Sequence, residues 1–196
     1  MGYIDVQIEL RGDQLLQHKY NGEQPSIEKP PRGNKTQAHI DAMHRKDWFE
    51  SVYFAKNTIH MPPEVIEAAI RDGAKRTRKG KNFERGSLVV EDFIPLLVFK
   101  SAEDRKGSEL RGSLEEFYRP EYIDIRGVNM PRGGKVDRCR PIFRNWGLRF
   151  TLRYDDEQVS VEHIESALKN MCIGDFRPRF GKVKYFHISE GKSVVV

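Results

Sequence analysis

The stretch Cys172-Ile173-Gly174-Asp175-Phe176-Arg177-Pro178-Arg179-Phe180-Gly181-Lys182 constrains this chain most, because it must turn a helix into a strand within a few residues. Before it, Ser160 can cap a helix whose apolar stripe is Ile164, Ala167, Leu168 and Met171. Glu162 and Glu165 fall early in that helix, where the dipole favours acids. After it, Val183 to Ile188 reads as a strand. Gly174 suits the left-handed residue that ends a helix, and Gly181 permits a close backbone approach. Pro178 fixes one backbone angle and removes a donor. Between the glycines, Arg177 and Arg179 offer charged forks for phosphate, and Phe176 and Phe180 offer faces for a base. The competing reading is a tight connection with phenylalanines in the core and arginines in solvent.

The rest of the chain supplies alternating and helical periods around this loop. Tyr3 to Arg11 alternates like a half-buried strand that Gly12-Asp13 ends, with a short element at Leu15 to Lys19. Residues 20–35 read as a long, mobile surface loop. A helix over Thr36 to Phe54, capped by Asn34 or Thr36, would bury Ile40, Met43, Trp48 and Val52. Asn57 to Met61 is a short strand, and Pro62-Pro63 opens a helix with Val65, Ile66, Ala69 and Ile70 inside, running on to Gly80. Ser87 to Val90 and Ile94 to Phe99 read as extended, and Ser101 to Gly112 as a loop. Tyr122 to Val128 is extended, followed by a turn or flexible tip over Asn129 to Lys135. Lys135 to Phe143 and Leu148 to Tyr154 both alternate, and a turn at Arg144-Asn145-Trp146-Gly147 would join them as an antiparallel hairpin. That hairpin would carry a core on one face and a row of arginines on the other.

The order strand, helix, two strands, helix, strand predicts an α+β, ferredoxin-like βαββαβ fold with helices on one face of an antiparallel sheet. It predicts a single domain over 1–196. The core would come from about 1–19 and 120–188, with an inserted helix and strand region at about 20–119 and a tail at 189–196.

Charge narrows the function. The chain carries +5 with a pI near 9.2. Arg71, Lys75, Arg76, Arg78, Lys79, Lys81 and Arg85 face only Asp72 and Glu84 in their stretch, and nine Lys/Arg between Arg119 and Arg153 face only Glu121, Asp124 and Asp137. Concentrated positive charge is what phosphate tracking needs. No run of about 18 apolar residues is present, so no membrane span is expected. The N-terminus lacks the regions of a signal peptide. Cys139 and Cys172 form neither a disulfide framework nor a zinc site and read as reduced thiols, which implies a cytoplasmic setting. His39 and His44 are five apart, not the four that aligns two ligands on a helix. No phosphate-binding lysine loop, dinucleotide fingerprint or nucleophile motif occurs, so no cofactor, metal or catalytic residue is assigned.

The pattern Arg138-x-Arg140-Pro141-x-x-x-x-Trp146, the Phe150/Leu152/Tyr154 strand, and Ile173-Gly174-Asp175-Phe176-Arg177-Pro178-x-Phe180-Gly181 together resemble proteins of bacteriophages and prophages. Leu15-Leu16-Gln17-His18 and Ile59-x-Met61-Pro62 fit the same pattern. More remotely, a ferredoxin-like core ending in helix, glycine-rich loop and strand resembles the RAMP superfamily of CRISPR RNA-binding proteins. That resemblance implies RNA contact by the glycine-rich loop and, as in some members, assembly along the strand.

The expectation is a phage-encoded, non-enzymatic binder of single-stranded RNA or DNA in the host cytoplasm, able to form a homo-oligomer. Arg177, Arg179 and Lys182 would hold phosphates, with Arg138, Arg140, Arg149 and Arg153 widening the groove across an exposed sheet face. Lys75, Arg76, Arg78 and Lys79 would add to it. Phe176 would stack a base, with Trp146 and Phe180 as further platforms. Two alternatives stay open. One is an anti-defence protein that docks its basic surface on a host protein complex. The other is a metal-independent ribonuclease using His18, which has Lys19 and Tyr20 beside it.

Overall fold

A computed structural model describes residues 2–19, 36–101, 103–129 and 134–194. The chain runs through strand β1 (Tyr3–Leu16), helix α1 (Gln37–Ser51), strands β2 (Phe54–Ala55) and β3 (Thr58–Met61), and helices α2 (Pro63–Ala74) and α3 (Gly80–Gly86). Then come β4 (Ser87–Val89), β5 (Ile94–Pro95), β6 (Leu97–Val98), β7 (Ser108–Glu109), β8 (Ile123–Asn129) and β9 (Lys135–Asp155). Helix α4 (Val161–Asn170) and strands β10 (Tyr185–Ile188) and β11 (Lys192–Val194) complete it. The loop expected at 20–35 lies outside the described residues. The described residues form a mixed α/β protein in which four helices accompany a curled antiparallel sheet.

Two long strands form the spine. β1 pairs antiparallel with β9 from Tyr3↔Asp155 to Leu16↔Ile142. The other edge of β1 takes β10 and β11. The far edge of β9 is shared by β4, β6 and β8, while β2, β3 and β5 make a separate small sheet. Period-two alternation places Val6, Ile8 and Leu10 with Leu148, Phe150, Leu152 and Tyr154 on one buried face. Ile66, Ala69 and Ile70 of α2 and Ile164, Ala167 and Leu168 of α4 join the same core. Each fully buried Val, Leu, Ile or Phe side chain among them contributes about 1.5–3 kcal/mol. α2 and α4 pack closely at Gly73, where a Cβ would stand 2.3 Å from the Ala167 carbonyl oxygen.

Several expectations change. The hairpin at Arg144 to Gly147 does not exist, because β9 is one continuous 21-residue strand. β1 does not stop at Gly12-Asp13 but continues to Leu16, so it offers backbone partners to both halves of β9. Asn145 takes a positive φ of 50° opposite Asp13, and the register holds on both sides, Gly12↔Trp146 and Gln14↔Arg144. From the other edge, Leu97 pairs with Gly147, and the Phe99 N–H donates to the Asn145 carbonyl. Both edges of the expected turn are therefore occupied. The hairpin that does form joins β8 to β9, closing at Asn129↔Lys135, with 130–133 of its tip outside the described residues.

The second helix ends at Ala74, not Gly80. A 3-10 turn over Lys75–Thr77 and a left-handed Arg78 (φ 60°) separate it from α3. In α1 only Trp48 and Ser51 are buried, Ile40 and Met43 being partly exposed, and Thr36 is the cap, accepting from the His39 N–H. Within the expected loop at Ser101 to Gly112, Ser108–Glu109 forms β7. Within the expected tail, Lys192–Val194 pairs with Tyr3–Asp5 as β11.

Candidate nucleic-acid interface

The glycine loop is fastened to the far end of β1. α4 ends at Asn170, four residues before Gly174, so Gly174 is not the helix terminator the spacing suggests. Its φ of 84° instead lets the backbone lie against β1, where a Cβ would stand 2.2 Å from the Leu16 carbonyl oxygen. The Asp175 N–H donates to that oxygen at 3.0 Å, and the Gly181 N–H donates to the Gln14 carbonyl at 2.7 Å. Gly181 (φ 70°) closes the loop on itself. Its carbonyl accepts from the Ile173 N–H, and a Cβ there would fall 1.5 Å from the Ile173 oxygen.

This anchorage sorts the aromatic side chains. Phe180 is buried with Leu16 and Ile142, and Trp146 is fully buried in the main core. Neither is a platform for a base, because both fill space that the β1–β9 spine encloses. Phe176 is different. It sits at a left-handed φ of 51° and stays 36% exposed.

Guanidinium groups surround it. The Arg140 guanidinium lies 4.8 Å from the Phe176 ring centre, and Arg126 of β8 lies 4.3 Å from Phe180 and 5.9 Å from Phe176. Arg140 also pairs with Asp175 at 2.9 Å. Burial pushes the Arg140 guanidinium below its ordinary pKa, with Asp175 opposing. Its Nε is buried with no acceptor among the described residues. Arg126 is held above its ordinary value by hydrogen bonds to Asp124. Arg138 reaches Asp47 of α1 at 3.2 Å. His18 lies in the same charged field. Burial lowers its pKa first, and Arg140 next, while Asp175 pulls the other way. The preceding residue, Gln17, is fully buried, donating to the His60 carbonyl and accepting from the Tyr53 N–H.

The first basic cluster meets the loop through one acid. Asp72 of α2 takes Lys75 at 2.7 Å and Arg177 at 3.3 Å, and these contacts hold its carboxyl below the ordinary range, Lys75 contributing most. Arg76 donates to Asn170 at 3.4 Å. Arg179 and Lys182 are exposed, as is Arg78, while Lys79 is half-buried; none of the four has an ion-pair partner among the described residues. Lys75 and Arg177 thus meet on Asp72, and Arg140 joins Asp175 to the Phe176 ring, while Arg138 is held by Asp47.

Arg149 and Arg153 are elsewhere. They lie on the open face of the sheet, and nine residues of strand separate Arg149 from Arg140, roughly 30 Å at the usual rise. Their charge is not free either. Arg153 makes two hydrogen bonds to Asp5, at 2.8 and 2.9 Å. Arg149 donates to Glu9 at 2.7 Å and to the Arg105 carbonyl at 2.5 Å. The sequence argument that the arginines lack balancing acids is therefore corrected. The acids come from other elements: Asp5 and Glu9 from β1, Asp47 from α1, Asp72 from α2, and Asp175 from the loop. Asp5 and Glu9 were findable, since they alternate along β1 with the period of the arginines on β9. Arg126 was not singled out, and only the β8–β9 pairing brings it to the loop.

Among the described residues, no three His, Cys, Asp or Glu side chains gather into a metal site, and no helix is long and apolar enough to cross a membrane. Cys139 is buried, and burial pushes its thiol up to about 12; Cys172 is also free.

With the geometry in hand, comparisons add little. No protein-family model and no curated protein matches the chain, so the resemblance to phage and prophage proteins rests on the residues quoted for it. Among solved structures the chain is similar to part of a Type III-B Cmr-beta determined by cryo-EM bound to cognate target RNA. The match has 10% identity and a TM-score of 0.36, and it covers 98% of this chain and 60% of that one. A TM-score that low carries no argument about fold or function.

Proposed function

We propose that the chain binds single-stranded nucleic acid, RNA or DNA, along the glycine loop and the β8–β9 hairpin. One observation carries this reading. Phe176 presents an exposed ring from a loop stitched to β1, with guanidinium groups at 4.8 and 5.9 Å and with Arg177 and Arg179 close by in the chain. A base stacks on such a ring, and flanking cations take the phosphates on either side. A duplex keeps its bases stacked inside and cannot use the ring.

The ferredoxin-like, RAMP-like reading of the core belongs with this proposal. The antiparallel order β10-β1-β9, the short strands beyond β9, and α4 crossing from β9 to β10 support a βαββαβ plan. Assembly of copies along one strand is part of the same reading.

Fluorescence anisotropy with labelled single-stranded RNA, single-stranded DNA and duplex at two salt concentrations tests it. Salt-sensitive single-strand binding supports it, and the RNA/DNA ratio assigns the substrate. Absence of binding at low salt overturns it. A gel of the same RNA covers catalysis: cleavage that persists in EDTA and disappears in His18→Ala would make the chain a metal-independent ribonuclease. The acid partners of its arginines favour one further reading, because a mixed-charge surface suits docking on a protein. A host defence complex recovered by pull-down after nuclease treatment would support that alternative.

A further inference from the structure

The open sheet face holds a concave site just beyond the end of the glycine loop, where Gly12 backs onto the Lys182 carbonyl. Glycine creates it. Gly147 lies opposite Arg11 in the β1–β9 pairing and brings no side chain there. The Phe99 ring takes that space, 2.5 Å from where a Gly147 Cβ would stand. Gly107, at φ 66°, flanks the same ring, its Cβ position 2.9 Å away. The Arg11 guanidinium lies 3.9 Å from the centre of Phe99 and 5.7 Å from that of Tyr185, its cross-strand partner on β10. Ring, guanidinium and ring follow one another across the face, and Tyr185 is 52% exposed.

The wall is built, not incidental. The Asp104 carboxylate accepts from the N–H groups of Lys100, Lys106 and Gly107, which closes residues 104–107 into a compact turn. Arg11 donates to the Asp104 carbonyl at 2.8 Å and Arg149 to the Arg105 carbonyl, so the turn is pinned over the sheet. Between turn, β1 and β10 lies a cavity of about 680 Å³. Trp146 also lines it, and its buried indole N–H has no acceptor among the described residues.

The geometry points to a site for a single nucleotide, with its base on Tyr185 and its phosphate at Arg105 and Lys184. The volume falls within the range of small-ligand pockets. A flat ring is what extends a stack ending in an exposed tyrosine. His187 offers a polar edge that can donate or accept, which suits a base, while Glu9 is already taken by Arg11 and Arg149. Arg105 is exposed with no ion-pair partner among the described residues, where Lys184 has Asp13 alone, at 3.4 Å. The assignment rests on the nucleic-acid reading for its ligand class but uses none of the residues of the loop.

The test is calorimetric titration of AMP, GMP, CMP and UMP into the full chain, with adenosine and inorganic phosphate as partial ligands. At least one mononucleotide should bind, more tightly than either fragment. Tyr185→Ala and Arg105→Ala should each weaken it roughly tenfold, and both side chains are exposed enough that the thermal midpoint should hold. Phe176→Ala should lose oligonucleotide binding and keep the mononucleotide. No heat at millimolar mononucleotide, or binding indifferent to Tyr185 and Arg105, would overturn the site whether or not oligonucleotides bind. Phosphate alone binding as well as the nucleotides would overturn the stacked base.

Discussion

The glycine loop and the open sheet face both collect arginines, but they spend them differently. On the open face, Arg153 holds Asp5 through two bonds, while Arg149 and Arg11 share Glu9 and pin the 104–107 turn through the carbonyls of Asp104 and Arg105. Those guanidiniums are structural. At the loop, Arg177 makes one 3.3 Å contact to Asp72 while 47% exposed, and Arg179 and Lys182 have no ion-pair partner among the described residues. A count of basic residues is therefore not a measure of charge available to a ligand. Cross-strand register decides it, because an acid directly opposite an arginine occupies its donors.

The largest effect that would break this contrast is at the loop's own closure. Gly181→Ala sets a Cβ against the Ile173 carbonyl at a left-handed φ, and should cost on the order of 3 kcal/mol in urea unfolding. Unchanged stability would mean the loop is not closed on its backbone. Next is Arg140→Ala, which leaves Asp175 unpaired and uncovers Phe176. A loss of about 2 kcal/mol is expected, less than for a fully dry pair because Asp175 is partly exposed.

The third prediction separates the two regions by binding. Arg177→Ala with Arg179→Ala should lower single-strand affinity about tenfold and reduce the salt slope by about 1.4. Arg149→Ala with Arg153→Ala should instead lower the thermal midpoint and leave the salt slope in place. Equal losses from both pairs would erase the distinction.

The smallest effect is on pH dependence. The hydrogen bond from Arg153 holds Asp5 below its ordinary value; burial would raise Glu9, but Arg149 and Arg11 outweigh it and hold it low. A depressed folded pKa stabilises in full above the unfolded value of about 4, and that stabilisation disappears as pH falls through the folded pKa. The difference in urea midpoint between about pH 6 and about pH 3 should therefore shrink in Asp5→Asn with Glu9→Gln. An unchanged difference would mean the open-face pairs contribute nothing in solution.

Much of the fold was legible as period. The alternation of Tyr3 to Arg11 and Leu148 to Tyr154, the stripe of Ile164, Ala167 and Leu168, and the Ser160 cap all follow from local chemistry, and the structure keeps them. Within the candidate site, Phe176 and Arg177 were legible as a phenylalanine and an arginine between two glycines. Arg126, Asp72 and the burial of Phe180 and Trp146 were not, since each depends on an element distant in the chain.

By itself, then, the sequence determined which residues alternate and where α2 and α4 begin, because those follow from backbone sterics and from interactions within a few residues. Only the tertiary structure decided that Arg144 to Gly147 would stay within one strand, with a left-handed Asn145, and that the open-face arginines would face Asp5 and Glu9. A turn forms only where backbone groups lack other partners, and here β1 and β6 supply those partners from both sides. Register across strands is a long-range choice, set when the buried faces of β1 and β9 are packed together.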